Sequence, residues 1–366
     1  MKKKILIISN STAGLVNFRS ELIGRLCKEY EVIVLAPYLN WIAPLEALGC
    51  KVINFKFDGH GTNPIKELSL IKRFKQQIKS IDPMIVLTYT IKPNVYAGAA
   101  CASLNIPYIA NVTGLGDAIE NPGVVSAVAK TLYKRGLRKA TKVFFQNKTN
   151  CETFLAKGLY SGEYDVIPGS GVNLGKHVCE PYPASDDPLV FSVIGRVTKD
   201  KGIDEVLAAA DRLSDKNIII RLIGNCMPEY IEKLKEAEKK GVIKFEGRQE
   251  NIHDWYRETH AVLHASYHEG MSNVLLEAAS CGRPVLASNI PGCVEAFDEG
   301  VSGFGFKPMD VDSLVDAALR FIALPHEKKA EMGLNGRKKV EAEFDRNIVV
   351  DRYMSVIKKI EGESKK

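Results

Sequence analysis

No apolar run among the 366 residues approaches the roughly 18 positions that a helix needs to span a bilayer, which argues against a transmembrane anchor. The start, Met1-Lys-Lys-Lys4, is basic, but Ile5-Leu-Ile-Ile8 is too short for a secretory leader and runs into polar turn residues. A cytoplasmic protein is expected. The eight cysteines, at 27, 50, 101, 151, 179, 226, 281 and 293, contain no Cys-x2-Cys pair and no clustered metal spacing. They are expected as buried free thiols, because disulfides are rare in a reducing compartment. Gly-x-Gly-x-x-Gly is missing too. The first glycine loop, Ser11 to Asn17, has Gly14 alone, and no acid follows where a dinucleotide ribose would need one. That disfavours nicotinamide redox chemistry.

Charge is present but unevenly shared. Residues 1–160 hold 22 Lys and Arg against 10 Asp and Glu, so a chain total of +6 leaves the remainder at about −6. A half this basic implies an anionic partner: nucleic acid, an acidic membrane surface or a phosphorylated substrate. No recognised nucleic-acid-binding motif or aromatic-rich basic strand supports the first. The basic residues gather on two predicted helices, Lys66–Lys79 and Lys130–Lys142. Two solvated helix faces and docking onto anionic lipid both fit this pattern; in the second case each basic residue near the surface contributes about 1 kcal/mol.

The apolar pattern is strand then helix, repeated. Buried strands are predicted at Lys4–Ser9, Val32–Leu35, Val52–Asn54, Ile85–Leu87, Tyr108–Ala110, Val143–Phe145 and Asp165–Ile167. Between about Gly175 and Pro188 the pattern stops, and Pro181, Pro183 and Pro188 mark a linker. A second alternation follows, from Val190–Ile194 to a strand near Phe304. The fold class is therefore α/β, with two Rossmann-like, doubly wound parallel-sheet domains. The first spans 1–180, the second 188–345, and a last helix within 346–366 is expected to cross back to the first. Ligand loops belong at the carboxyl ends of such strands.

Three loops of the first domain carry candidates: Ser11 to Asn17 with Gly14, Thr88 to Asn94 with Tyr89 and Lys92, and Asn111 to Asp117 with Thr113. Each is either a plain turn or a ligand contact, and all three are expected at one sheet edge. In the second domain, Gly195 to Gly202 sets Arg196 and Lys201 between two glycines after the first strand, where cations would meet a diphosphate. The richest stretch is Ser266-Tyr-His-Glu-Gly-Met-Ser-Asn-Val-Leu-Leu-Glu-Ala-Ala-Ser-Cys-Gly-Arg-Pro284, after an apolar strand at 261–265. Ser272 is a good N-cap, Gly282 suits a left-handed C-terminal position and Pro284 stops the chain, so a helix is predicted over Asn273–Cys281. Free amides of Met271 to Asn273 would face a phosphate, while the carboxylates of Glu269 and Glu277 would face hydroxyls. A nucleotide sugar offers both groups; the alternative is a pair of solvated surface acids.

Glu-Gly-Met-Ser-Asn-Val-Leu-Leu-Glu277 resembles the Glu-x7-Glu signature of the family 4 retaining glycosyltransferases, which have the GT-B fold, two such domains facing across a cleft. The Arg196 and Lys201 loop is similar to that family's diphosphate loop. The resemblance implies that Glu277 holds the ribose hydroxyls and that Glu269, with Gly270, Met271, Ser272 and Asn273, meets the transferred sugar. It implies that Gly195, Arg196 and Lys201 attend the departing diphosphate. No metal and no cofactor are implied, and His60, His253, His264 and His268 are scattered in the sequence. Many relatives have a histidine where this chain has Thr88-Tyr89-Thr90, so Tyr89 replaces it or another residue does its work. Further segments, Ile-Lys-Pro-Asn94, Asn-Val-Thr-Gly-Leu-Gly116 and Pro-Gly-Cys-Val-Glu295, resemble bacterial enzymes that extend a sugar on undecaprenyl diphosphate in capsule, O-antigen or protein-glycan assembly. That resemblance implies a UDP-sugar donor such as UDP-N-acetylgalactosamine, an α-linkage, and a cytoplasmic enzyme peripheral on the inner face of the membrane, with nucleic acid no partner. The competing expectations are a sugar-nucleotide epimerase or hydrolase of the same plan, and a nucleic-acid-binding protein acting through the basic half.

Overall fold

The computed structural model describes residues 2–37, 40–57, 64–114, 124–184 and 188–363, with the side chains of 64–68 and 124–125 left aside. The chain divides into two units, Met1–Ser170 joined by Arg346–Lys366, and Gly171–Asp345.

In the first unit β1 (Lys4–Ile8), β2 (Glu31–Ala36), β3 (Lys51–Asn54), β4 (Ile85–Tyr89), β5 (Tyr108–Val112), β6 (Lys142–Phe145) and β7 (Tyr164–Val166) form one sheet in the order β3-β2-β1-β4-β5-β6-β7. Every pairing is parallel. Such a sheet is covered on both faces, which is why Ile5 to Ile8 run as an unbroken apolar string and are 0% exposed. Phe74, Ile78, Ala97, Tyr133 and Phe154 share a core with one face, while Leu15, Leu22 and Ile23 share a core with the other. The helix Arg346–Glu363 joins the second core through Val349, Val350, Tyr353 and Ile357, and Arg346 pairs with Glu21 at 2.9 Å.

In the second unit β8 (Leu189–Ile194), β9 (Ile218–Ile223), β10 (Ile243–Gly247), β11 (Ala261–His264), β12 (Val285–Ser288) and β13 (Gly303–Phe306) run in the order β10-β9-β8-β11-β12-β13, again all parallel. Each sheet reverses its strand order once, between β1 and β4 and between β8 and β11. Ligands of open α/β sheets settle outside the carboxyl ends at that reversal.

Two helices lie beyond the predicted alternation, Val311–Ile322 and His326–Glu343. The first is capped by Asp310, whose carboxylate accepts from the Ser313 amide at 3.0 Å. The second is rich in charge, and its buried stripe includes Gly333 and Gly336. A Cβ on Gly333 would fall 2.1 Å from the Gly282 carbonyl oxygen, so this helix packs by backbone, and its apolar period is weak in the sequence.

Residues 171–180 group with the second unit, not the first. The Val172 amide donates to Phe344, the Glu180 amide to Cys281, and the Ser280 hydroxyl to the His177 carbonyl at 2.5 Å. All eight cysteines are free thiols; Cys179 is exposed, and Cys27 and Cys226 are half-buried, against the expectation of burial throughout. Among the described residues no helix is long and apolar enough to cross a membrane.

Candidate active site

The loops after β8 and β11 flank the reversal of the second sheet, and their backbones touch. Gly202 has φ +66, and a Cβ there would lie 2.2 Å from the Ala265 carbonyl oxygen. The Tyr267 amide donates to the Asp200 carbonyl at 2.9 Å. This approach brings Lys201 Nζ to 2.5 Å from Glu269 Oε1, with side chains 21% and 17% exposed. The same oxygen accepts from Ser266 Oγ at 2.9 Å and from His264 Nε2 at 3.1 Å. His264 Nε2 also lies 3.1 Å from Ser272 Oγ, tying the cluster to the N-cap of the next helix.

Burial opposes ionisation of Glu269, yet hydrogen bonding and charge from His264 and Lys201 outweigh it and hold the carboxyl down at about 2. At neutral pH it is an anion, an acceptor of hydroxyl hydrogen bonds and no proton donor. Because the folded value lies below the unfolded one, the stabilisation is complete above about pH 4.5 and drains away as pH falls towards 2. Urea unfolding of the wild type and Glu269→Gln is expected to show a stability gap that narrows over that window. A gap that stays constant would refute the assignment.

The helix predicted over Asn273–Cys281 occupies Asn273–Ser280, with Cys281 as its C-cap and Gly282 left-handed at φ +72. Ser272 Oγ accepts from the Leu275 amide at 3.4 Å, as its N-cap role requires. The Ser272 amide donates to the Gly292 carbonyl at 2.8 Å, so that N–H, expected to face a phosphate, is already engaged. Gly292, at φ +84, has room for no Cβ, which would sit 2.7 Å from the Gly270 carbonyl. The loop after β12 is thereby clamped to the one carrying Glu269. Met271 is buried, and Asn273 keeps a buried Oδ1 with no hydrogen-bond partner.

Glu277 Oε1 lies 3.8 Å from His177 Nε2, and Glu277 also faces Tyr256, whose phenol is driven up by burial first and by the Glu277 charge second. Arg196 is 66% exposed and pairs with Asp200 at 3.4 Å. Gly195, at φ +148, has open space where a Cβ would point.

In the first unit Gly14 sits in the first turn of the helix Thr12–Glu29, donating to the Ser11 cap at 3.0 Å. Tyr89 turns inward, 4% exposed, with the Arg19 guanidinium 5.1 Å from its ring centre and Tyr353 beside it. The next residue, Thr90, holds φ +75, a strained conformation for a β-branched residue. Lys92 is buried and Thr113 exposed. Below these loops Thr88 donates to Asn94, Asn94 to the Asn111 carbonyl and Asn111 to Tyr353, all at 2.7–2.8 Å. The three loops follow β1, β4 and β5, which are neighbours in the sheet. Gly116 and Asp117 of the third loop fall outside the described residues.

The sequence did not single out His177, Tyr256 or Ser266 as site residues, and it left His264 among scattered histidines. A signal for His264 was there: it closes an apolar strand at the carboxyl edge, where a polar residue has a reason to be. His177, Tyr256 and Glu277 are distant in sequence, and only the fold joins them.

Residues 180–339 match the family described as glycosyl transferases group 1, and residues 4–147 match glycosyl transferase 4-like. The chain belongs to the family 4 glycosyltransferases. This glycosyltransferase is 26% identical over 376 residues to the N,N'-diacetylbacillosaminyl-diphospho-undecaprenol alpha-1,3-N-acetylgalactosaminyltransferase of Campylobacter jejuni, covering 98% of this chain and 99% of that one. It is 25% identical to the Staphylococcus aureus capsular polysaccharide biosynthesis glycosyltransferase CapM, over 48% of this chain and 49% of that one. The structure of Anabaena HepE in complex with UDP and glucose superposes with a TM-score of 0.80 at 19% identity, over 98% of this chain and 100% of that one. The fold is GT-B, and the enzyme is a hexosyltransferase.

Proposed function

We propose that this glycosyltransferase moves a sugar, with retention of configuration, from a UDP-sugar such as UDP-N-acetylgalactosamine to a glycan on undecaprenyl diphosphate. The product is an α-linked unit of a capsule, O-antigen or protein glycan. The observation that carries the proposal is the Lys201–Glu269 cluster at the strand-order reversal of the second sheet. The full-length likeness to the C. jejuni transferase supports the acceptor class.

In this reading the second unit binds the donor. Negative charge grows on the diphosphate oxygens as the bond to the sugar C1 breaks, and the pre-placed Lys201 and the exposed Arg196 are worth most at that moment. Anionic Glu269 orients Lys201 and accepts from sugar hydroxyls. The acceptor hydroxyl attacks C1 on the face the phosphate leaves, its O–H bond breaks, and the proton passes to a departing phosphate oxygen. Glu277 takes the ribose hydroxyls, and Gly195 leaves space for the diphosphate. The first unit binds the acceptor through the loops of Gly14, Tyr89, Lys92 and Thr113. Tyr89 acts from within by supporting its loop, since its ring is buried. No cofactor takes part.

We further assign the first unit a place on an anionic membrane surface. Lys72, Lys75 and Lys79 on the helix Pro64–Ile81, and Lys134 and Arg135 on Val124–Leu137, are exposed, and exposed Val128 adds an apolar contact. Five such charges are worth about 5 kcal/mol at the surface.

Saturation-transfer NMR with UDP-, GDP-, ADP- and dTDP-sugars, in the presence of EDTA, tests the donor site. The wild type is expected to bind the UDP series and Glu277→Ala to lose at least 10-fold in affinity, because a buried pair of ribose hydroxyls is left unsatisfied. Equal binding by both proteins would remove Glu277 from the site.

A further inference from the structure

A second cluster forms at the C-terminal end of the helix Asn273–Ser280, from residues other than Lys201, Glu269 and His264. His177 comes from the segment before β8, His253 from the helix Ile252–Arg257, and Cys281 is the C-cap. One ligand atom from each lies within 4.8 Å of the other two. Cys281 Sγ is 3.4 Å from His253 Nδ1, close to the roughly 3.5 Å that separates a sulfur and a nitrogen on one tetrahedral zinc ion.

The surroundings prepare these atoms for an ion. His253 Nε2 is 2.7 Å from Glu180 Oε1, and Arg257 Nε is 3.1 Å from the same oxygen. A carboxylate only accepts, so the His253 proton belongs on Nε2, and the Nδ1 lone pair faces the sulfur. Carboxylates orient metal-binding histidines in this way. The His177 carbonyl is fixed by Ser280 Oγ at 2.5 Å and an Arg337 N–H at 3.0 Å. His177 and Cys281 are buried, while His253 is partly exposed and gives a path inward.

We propose that His177, His253 and Cys281 form a binding site for a thiophilic divalent transition-metal ion of the zinc class, with Glu180 orienting His253 and water completing the coordination. Thiolate with imidazole selects such ions over magnesium or calcium. The site ties the segment before β8 to two helices and borders Glu277, whose Oε1 is 3.8 Å from His177 Nε2. It does not rest on the proposed reaction. Cys281 is a free, buried thiol. Binding breaks the S–H bond, forms a sulfur–metal bond and releases one proton per ion to the buffer.

Titrating the reduced, chelator-stripped full chain with Co2+ tests this. The expected result is a thiolate-to-cobalt charge-transfer band that saturates at one equivalent, with one proton released, and that Zn2+ abolishes by competition. Cys281→Ser should lose the band, His253→Ala should bind at least about 10-fold more weakly, and Cys179→Ser, which removes the exposed thiol nearby, should behave as wild type. Circular dichroism of the metal-free variants checks their folding, and His177→Gln replaces Cys281→Ser if that variant fails to fold. Zn2+ at about a hundredfold over its Kd should raise the Tm of the wild type by roughly 5 °C. No band in the wild type, or a band that survives Cys281→Ser, overturns the proposal.

Discussion

Lys201→Ala is expected to lower kcat by about 10²-fold or more while the protein stays folded. The loss belongs in kcat more than in KM, because the ammonium is worth most when charge has moved onto the leaving diphosphate. The fold should survive, since Glu269 keeps its hydrogen bonds from His264 and Ser266 when the lysine is gone. Two residues that each hold Glu269 leave it paired, which is the difference between removing a functional cation and stranding a buried anion. Lys201→Arg keeps the charge but not the short, single contact at 2.5 Å, and should recover only part of the rate. Steady-state kinetics with donor and acceptor, beside a thermal melt, reads both quantities. A kcat within threefold of wild type would show that the cation is not part of the reaction.

Gly202→Ala is expected to cost about 3 kcal/mol or more and to lower the Tm of the second unit by roughly 10 °C. Its Cβ would lie 2.2 Å from the Ala265 carbonyl oxygen and 2.7 Å from the Ala265 Cβ, and the obstacle is backbone that leads directly into the Glu269 loop. Relief requires the loops after β8 and β11 to part, which separates Lys201 from Glu269 and should remove most activity as well. Gly241→Ala is the matched control: φ is similarly positive at +83, but nothing lies within 4 Å of its Cβ position. It carries the left-handed strain alone, about 1 kcal/mol, and should leave turnover unchanged. Equal losses in the two variants would mean that conformation, not contact, makes Gly202 necessary.

These two positions also show what the sequence could and could not disclose. The strands were legible because parallel strands buried on both faces are continuous apolar runs, and the helix after Ser272 was legible because its cap, its left-handed glycine and its proline are local signals. Lys201 and Glu269 were both visible as candidates, each in its own motif. Their bond to each other was not, since it depends on a backbone approach between loops more than sixty residues apart, marked in the sequence only by Gly202. The helix His326–Glu343 escaped because Lys329, Gly333 and Gly336 take three of the places in its buried stripe where apolar side chains would announce it. The inward turn of Tyr89 escaped for a different reason. It is set by Arg19 and Tyr353, and nothing near residue 89 foretells either neighbour.

The helix Arg346–Glu363 has a consequence for biosynthesis. The second unit is one uninterrupted stretch of chain, while the first, begun earlier by the ribosome, lacks a wall of its core until the helix Arg346–Glu363 follows the second unit. Val349, Val350, Tyr353, Met354, Ile357 and Ile360 arrive only after the whole second unit, and until then Ile5, Ile7, Leu22 and their neighbours lack that part of their cover. The unit begun first is thus completed only after the other, and the nascent protein leaves part of one sheet face open throughout the synthesis of its second unit. Stop codons placed just before Arg346 should therefore yield aggregates of the first unit rather than a shortened enzyme.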